Sequence, residues 1–311
     1  MTMPLFSIIT PCLNRVDFIG KAVESVLAQN FPDFEHIVMD AGSTDGTLEI
    51  LRTYPHLRVV SEPDRGMYDG INKGLRLAKG QIIGLLNSDD LYAAGCFDAV
   101  AQSFAQNPEA LAVVGGINTF TEIQNGFEII ETVPTIEPDE LWTRLTRGHP
   151  VTNAWFFRPA VFKRVGYFDD RHLYSSDRYF LIRAALDGDV RPVPIHRVLY
   201  QYRKHSGSAT ISTVDSRKPG YGRIRIKFLQ EDVDLIEEVL DRPDLPKRIR
   251  KLELAEHGLR CYRLAATAFY HRKWQVAFNS IQRGWHRNIS WPLLFVSLVF
   301  GRLWKEMARH E

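Results

Sequence analysis

Two adjacent carboxylates, Asp89 and Asp90, close the segment Asn87-Ser88-Asp89-Asp90 directly after the apolar run QIIGLL (81–86). Like charges at that spacing repel unless something positive lies between them. A divalent cation resolves the repulsion, because it takes oxygen ligands and leaves positions open for phosphates. A third carboxylate, Asp40, follows HIVM and precedes Gly-Ser-Thr, where it can accept hydrogen bonds from a base or ribose or simply cap the next helix. Asp177 begins an amphipathic stretch with Phe180, Leu181 and Ala184 on its buried face, a place for a cap or for a general base. His205, in YQYRKHSGSAT, stands beside Arg203 and Lys204, residue types suited to holding a diphosphate. EPDRGMYDGINKG (62–74) puts Asn72 and Lys73 at the start of a helix within reach of a ligand, with Arg65 and Asp69 equally readable as solvated. His149, in RGHPVTNAWFF, is as easily a packing residue as a ligand.

Alternating elements are needed to bring these residues together. FSIIT (6–10), FEHIVMD (34–40), LRVVS (57–61) and QIIGLL (81–86) read as strands. Helical patterns separate them at 17–29, through LEILRTY, and from EPDRG to about Ala78, where Lys79-Gly80 ends the helix. This β-α-β-α order predicts a mainly parallel, doubly wound sheet. Ligands in such sheets bind beyond the carboxyl ends of the strands, so Asp40 and the Asp89-Asp90 pair are expected on one edge. INTFTEI and FEIIETV around Asn125-Gly126 predict a hairpin over 117–133. Helices are expected near 138–146, 159–165 and 175–187, a strand near 196–202, and a Ser/Gly/Thr loop from about 204 to 221.

The 311 residues are 45% hydrophobic and 24% charged, an ordinary globular composition with room for a large core. No G-x-G-x-x-G follows the first strand and no G-x-x-x-x-G-K-[ST] occurs, which argues against an ordinary dehydrogenase or P-loop enzyme. Cys12, Cys96 and Cys261 are too widely spaced for a zinc ribbon or a disulfide framework, so a reducing cytosol is expected. No signal-peptide pattern opens the chain, and the longest apolar run, WPLLFVSLVF (291–300), is shorter than a membrane span and contains Pro292.

A net charge of +2 gives no reason to expect nucleic acid as a partner, but it hides a polarity. Residues 1–241 carry 25 basic and 32 acidic side chains, and residues 242–311 carry 14 basic and 5 acidic.

Taken together, SIITPCLNR, IVMDAGSTDGT, SEPDRGMYDGINKGLRLAKGQIIGLLNSDD, VFKRVGYFDD and SSDRYFLIRAALDG resemble family 2 glycosyltransferases of the GT-A fold, in order and spacing over about 4–210. The EPD-x-G-x-YD block is similar to the branch associated with bacterial surface polysaccharides such as O-antigen. The resemblance implies a catalytic domain over 1–221 and a helical, basic extension over 222–311. It implies that Thr10, Pro11, Asn14, Asp40, Asn72, Lys73 and Ser88 hold the nucleotide, with Ala41 where a second Asp is common. Asp89, Asp90 and His205 would hold Mn²⁺ or Mg²⁺, with Asn87 replacing the first Asp of an Asp-x-Asp pattern. Asp177 would be the catalytic base, with Ser176 in place of the usual Glu.

The implied reaction is inverting, metal-dependent transfer of a sugar from a UDP-, GDP- or dTDP-sugar to a glycan or a polyprenyl-diphosphate-linked saccharide. Asn87, Ala41 and Ser176 leave a catalytically silent nucleotide-sugar-binding scaffold as the alternative. Residues 265–284 resemble one helical hairpin of the tetratricopeptide kind. Within 272–311, Trp274, Phe278, Trp285, Trp291, Leu294, Phe295 and Trp304 alternate with Arg272, Lys273, Arg283, Arg287, Arg302 and Lys305. That pattern suits either helix packing or peripheral contact with the inner face of the cell membrane, at about 1 kcal/mol per basic residue near an anionic surface.

Overall fold

The computed structural model describes residues 3–124, 126–147, 152–187, 190–205, 207–208 and 220–287. His149, Asn125 of the hairpin turn, most of the Ser/Gly/Thr loop and the aromatic and basic residues from Trp291 onward lie outside the described residues. The chain forms two compact units, Met1–Ser208 and Ala209–Glu311.

The first unit is built on a mixed sheet. Strands β1 (Phe6–Cys12), β2 (Phe34–Asp40), β3 (Leu57–Ser61) and β4 (Ile82–Leu85) are joined by helices α1 (Ile19–Leu27), α2 (Thr47–Arg52) and α3 (Met67–Leu77). All seven residues of β1 are buried, as expected of a central parallel strand covered on both faces. After β4 come β5 (Leu91–Tyr92), α4 (Cys96–Gln106) and the hairpin of β6 (Ala112–Ile123) and β7 (Gly126–Val133). Then follow α5 (Leu141–Arg147), β8 (Trp155–Phe157), α6 (Ala160–Val165), α7 (Ser176–Asp187) and β9 (Val193–Arg203).

The strand order is β3-β2-β1-β4-β8-β6-β9-β5, with β7 on β6. β3, β2, β1 and β4 are parallel to one another, as is the β6–β9 pair. β8 runs antiparallel between β4 and β6. The core between sheet and helices joins Phe6, Ile8, Val26, Phe97, Phe104, Phe156 and Tyr200.

Helix α3 lies directly on β1. A Cβ at Gly74 would stand 2.5 Å from Ile9 Cγ2, and one at Gly70 would stand 3.8 Å from the Cβ atoms of Pro11 and Met39. The glycines let the helix backbone approach β1 and β2, which sets where its first turn projects at the sheet edge.

The second unit contains α8 (Tyr221–Leu240), α9 (Lys247–Tyr270) and α10 (Trp274–Arg287), packed through Leu229, Val233, Cys261, Leu264, Ala268 and Ala277. α9 and α10 form the hairpin expected at 265–284, turning at Arg272 with φ 57°. Arg283 pairs with Asp234 (2.5 Å) and Glu237 (2.7 Å), and Arg287 pairs with Asp241 (2.7 Å). Burial opposes ionisation of Glu237, yet hydrogen bonds from His257 and Arg283 hold its carboxyl down at about 2. These two arginines therefore tie α10 to α8 and do not belong to an open cationic stripe. Trp274, Phe278 and Trp285 remain 54%, 60% and 60% exposed.

Candidate active site

Parallel pairing of Cys12 with Asp40 and of Ile9 with Leu85 brings the loops after β1, β2 and β4 to one edge of the sheet. Asn14 joins the first two loops. Its backbone sits at φ 52°, a conformation that asparagine tolerates, its N–H donates to Ser43 Oγ (2.8 Å) and its Oδ1 accepts from Thr44 N–H (2.9 Å). Asp40 is buried, and its Oδ2 accepts from Gly42 N–H (3.0 Å), Ser43 N–H (3.1 Å) and Ser61 Oγ–H (2.6 Å). Its Oδ1 takes one longer bond, 3.3 Å from Ser43 N–H, so acceptor capacity remains on that oxygen. Thr10 faces the sheet interior, with Oγ1 2.9 Å from His36 Nε2. Burial drives the His36 imidazole down to about 3, so the pair is neutral. Pro11 lies under α3 at Gly70.

The loop after β4 sends its two aspartates in opposite directions. Asp90 is 1% exposed. Its Oδ1 accepts from Arg203 N–H (2.7 Å), and its Oδ2 accepts from Tyr200 O–H (2.7 Å) and Asn87 Nδ2–H (3.1 Å). Burial and then the neighbouring Asp89 push its carboxyl up, against those three donors. Asp90 is therefore an anchor of the loop, which corrects the expectation that both aspartates face a cation. Asn87 supplies a donor to Asp90 where an Asp would set a second carboxylate against it. Ser88 is buried and hydrogen-bonded to the Cys12 side chain.

Asp89 turns outward, with Oδ2 3.1 Å from His205 Nε2 and 3.8 Å from Arg15 Nε. Arg203, expected beside a diphosphate, is 2% exposed and fastens the loop from behind. Its Nε–H donates to Asp89 O (2.6 Å), it forms an ion pair with Glu122, and its guanidinium lies over the rings of Phe18 (5.4 Å) and Phe120 (4.9 Å).

Among the described residues, no group of three or more His, Cys, Asp or Glu side chains is placed to hold one metal ion. Asp89 and His205 nevertheless offer one oxygen and one nitrogen at hydrogen-bond distance from each other. The carboxylate oxygen suits Mn²⁺ or Mg²⁺, and the imidazole nitrogen favours the transition-metal ion of the two, with phosphate and water left to fill the remaining positions.

Asp177 lies in the first turn of α7. Its Oδ1 accepts from Arg178 N–H (2.7 Å), and the Tyr68 phenol donates a hydrogen bond to the carboxylate. Burial outweighs these donors and raises its carboxyl to about 6. The helix start is held by Arg178, whose Nε–H and Nη2–H donate to Leu145 O (2.5 Å) and Thr146 O (2.9 Å). Ser176 is fully buried, with no room at that position for an exposed second acid.

Asn72 and Lys73 have other occupations. The Asn72 amide donates to Phe168 O (2.7 Å) and accepts from Phe168 N–H (3.0 Å), a two-way staple. Lys73 Nζ donates to Pro63 O (2.8 Å) and pairs with Glu62 (3.0 Å) and Asp69 (3.6 Å). Two residues at the site, Arg15 and Tyr68, lie inside the SIITPCLNR and EPD-x-G-x-YD blocks, but the sequence assigned neither a role. Arg15 continues the loop after β1, and Tyr68 falls in a first helical turn that reads as ordinary amphipathic helix.

Residues 7–166 match the sequence model described as glycosyl transferase family 2. The chain belongs to that family. The region matched in this family 2 glycosyltransferase includes Asn14, Asp40 and Asp89 and ends before Asp177 and His205.

The chain is similar to a PGL/p-HBAD biosynthesis glycosyltransferase of Mycobacterium tuberculosis, 28% identical over 216 residues, covering 67% of this chain and 80% of that one. It is 25% identical over 231 residues to the chondroitin synthase of Pasteurella multocida, covering 70% of this chain and 22% of that one. Among solved structures, S. aureus TarS 1-349 in complex with UDP-GlcNAc matches with a TM-score of 0.55 and 18% identity, over 91% of each chain. This family 2 glycosyltransferase has the GT-A fold expected from its sequence.

Proposed function

We propose that the protein is an inverting, metal-dependent glycosyltransferase that moves a sugar from a nucleoside-diphosphate donor to a glycan or lipid-linked saccharide in surface-polysaccharide synthesis. The observation that carries the reading is the separation of two functions on one sheet edge. An outward carboxylate-imidazole pair, Asp89 and His205, adjoins the loops of Asn14 and Asp40, while a half-buried carboxyl raised to about 6, Asp177, stands on another element. UDP-GlcNAc and UDP complexes of the similar TarS support a UDP-sugar as the donor. The PGL/p-HBAD and chondroitin relatives support a polymer or glycolipid setting.

In this reading Asp40 accepts from the base or ribose, and the backbone around Thr10, Pro11, Asn14 and Ser88 shapes the nucleotide floor. Asp89 and His205 hold the cation, and Arg15 adds positive charge beside them. When bound, the cation offsets the charge of the leaving diphosphate. Asp177 takes the proton from the acceptor hydroxyl as that oxygen bonds to the anomeric carbon and the carbon–diphosphate bond breaks. No enzyme nucleophile is required. Catalysis is assigned to residues 1–221, and 222–311 is assigned as an accessory extension.

A screen of UDP-, GDP-, dTDP- and CMP-sugars with and without Mn²⁺, read as thermal stabilisation and release of the free nucleotide, tests the reading. One donor class stabilising the protein only with the cation is the expected result. No response to any donor with metal contradicts it.

For the extension, the exposed Trp274, Phe278 and Trp285 beside Arg272 and Lys273 support peripheral membrane contact. No described helix is long and apolar enough to cross a membrane. Sedimentation with anionic vesicles is expected to be lost on deleting 272–311, and equal binding by the truncated chain contradicts the contact.

A further inference from the structure

We infer that Tyr68 is the positioning residue for Asp177, so that the helix start beside the nucleotide loops sets the geometry and proton affinity of the base. The inference rests on the reading of Asp177 as that base.

Four residues of one block reach the segment that leads into Asp177. Arg65 forms an ion pair with Asp170. A Cβ at Gly66 would stand 3.3 Å from Leu173 Cδ1. The Tyr68 ring stacks on Phe168, with centroids 5.6 Å apart and planes at 21°. Asn72 holds both backbone polar groups of Phe168. Tyr68 and Asn72 are four residues apart and therefore share a face of α3.

The tyrosine ring is thus buried at 6% exposure against Phe168, and its phenol O–H donates to the Asp177 carboxylate. Among the described residues, the groups facing that carboxylate are Arg178, from its own helix, and Tyr68, from α3. Arg178 is itself held by the Leu145 and Thr146 carbonyls, and Tyr68, on α3, links the base to the helix start beside the nucleotide loops. The first turn of α3 also lies over Pro11 at Gly70.

A donor to a carboxylate favours its ionised form, so removing the O–H raises the proton affinity of Asp177. Tyr68→Phe keeps the ring and its stack. In protein carrying ¹³C-carboxyl aspartate, the Asp177 signal is identified by its loss in Asp177→Asn. Its titration midpoint is expected to rise by about one pH unit in Tyr68→Phe.

With the nucleotide sugar that stabilises the protein most in the donor screen, release of the free nucleotide by Tyr68→Phe should fall about threefold at pH 6.5 and return towards the parent rate at pH 8.5. Donor affinity should be unchanged. An unmoved midpoint in folded Tyr68→Phe, or a loss of rate equal at every pH, overturns the inference. Site-specific 3-fluorotyrosine at position 68, a stronger donor, is expected to lower the midpoint, and no change on that substitution overturns the inference without any loss of ring packing. If Asp177→Asn retains transfer, the reading of the base fails by itself, whatever the titration shows.

Discussion

Replacing Asp177 by asparagine is expected to lower sugar transfer by about 10²–10⁴-fold, the range that a positioned general base contributes. Donor binding should stay near that of the parent, because Asp177 stands on α7, apart from the loops around Asn14, Asp40 and Asp89. The variant should also be sound. Burial raises the carboxyl to about 6. The folded protein therefore binds the proton more tightly than the unfolded chain, and ionisation of this group opposes folding as the pH rises from the ordinary carboxylate range through 6. Asparagine removes that opposition, so the thermal midpoint of Asp177→Asn near pH 8 should equal or exceed that of the parent. The same raised carboxyl gives the parent an acidic limb, with transfer falling as the pH drops through about 6. Transfer retained in folded Asp177→Asn would remove this residue from the chemistry.

Asp89 and Asp90 are neighbours that should fail in different ways. Asp89→Ala takes away the outward oxygen beside His205 and leaves the loop anchored by Asp90. Mn²⁺-dependent stabilisation by the donor should disappear, a loss larger than the about 10–100-fold typical of changing an outer partner of a metal ligand. The thermal midpoint without metal should hardly move.

Asp90→Ala strands the Tyr200 O–H and the Arg203 N–H, each buried and now without its acceptor, at about 1–3 kcal/mol for each group. Its main effect should be a lower thermal midpoint with or without Mn²⁺. Titration calorimetry and thermal melts on the two variants separate these outcomes. Equal loss of metal response at equal stability in both would contradict the assignment of one as ligand and the other as anchor.

Strand and helix order was legible where long apolar runs alternate, from β1 through β4 and in the hairpin of β6 and β7. β8 was not, because three residues, Trp155–Phe157, show no period. α4 carries helical spacing in Phe97, Val100 and Phe104, but it lies directly between a turn and a strand. At the candidate site, residue type singled out Asp40, Asp89, His205 and Asp177 with caps or solvated positions as alternatives, and only the resemblance gave them roles.

What residue type cannot convey is direction. Asp89 and Asp90 look alike in sequence, yet the donors that turn Asp90 inward come from β9, more than a hundred residues away. Arg203 illustrates the same limit, since a basic residue near a histidine suggests phosphate until Phe18 and Phe120 are found to enclose it. Tyr68 was hidden for the same reason: its partner Asp177 is brought to it by the segment that Asn72 staples at Phe168.

The most direct test of a single displacement with Asp177 as base is the configuration of the first product. Proton NMR of the anomeric signal, recorded while the donor that answers the screen is hydrolysed in the absence of acceptor, distinguishes the two outcomes before the released sugar mutarotates. An α-linked donor is expected to give the β product first. Appearance of the α product first would contradict the account.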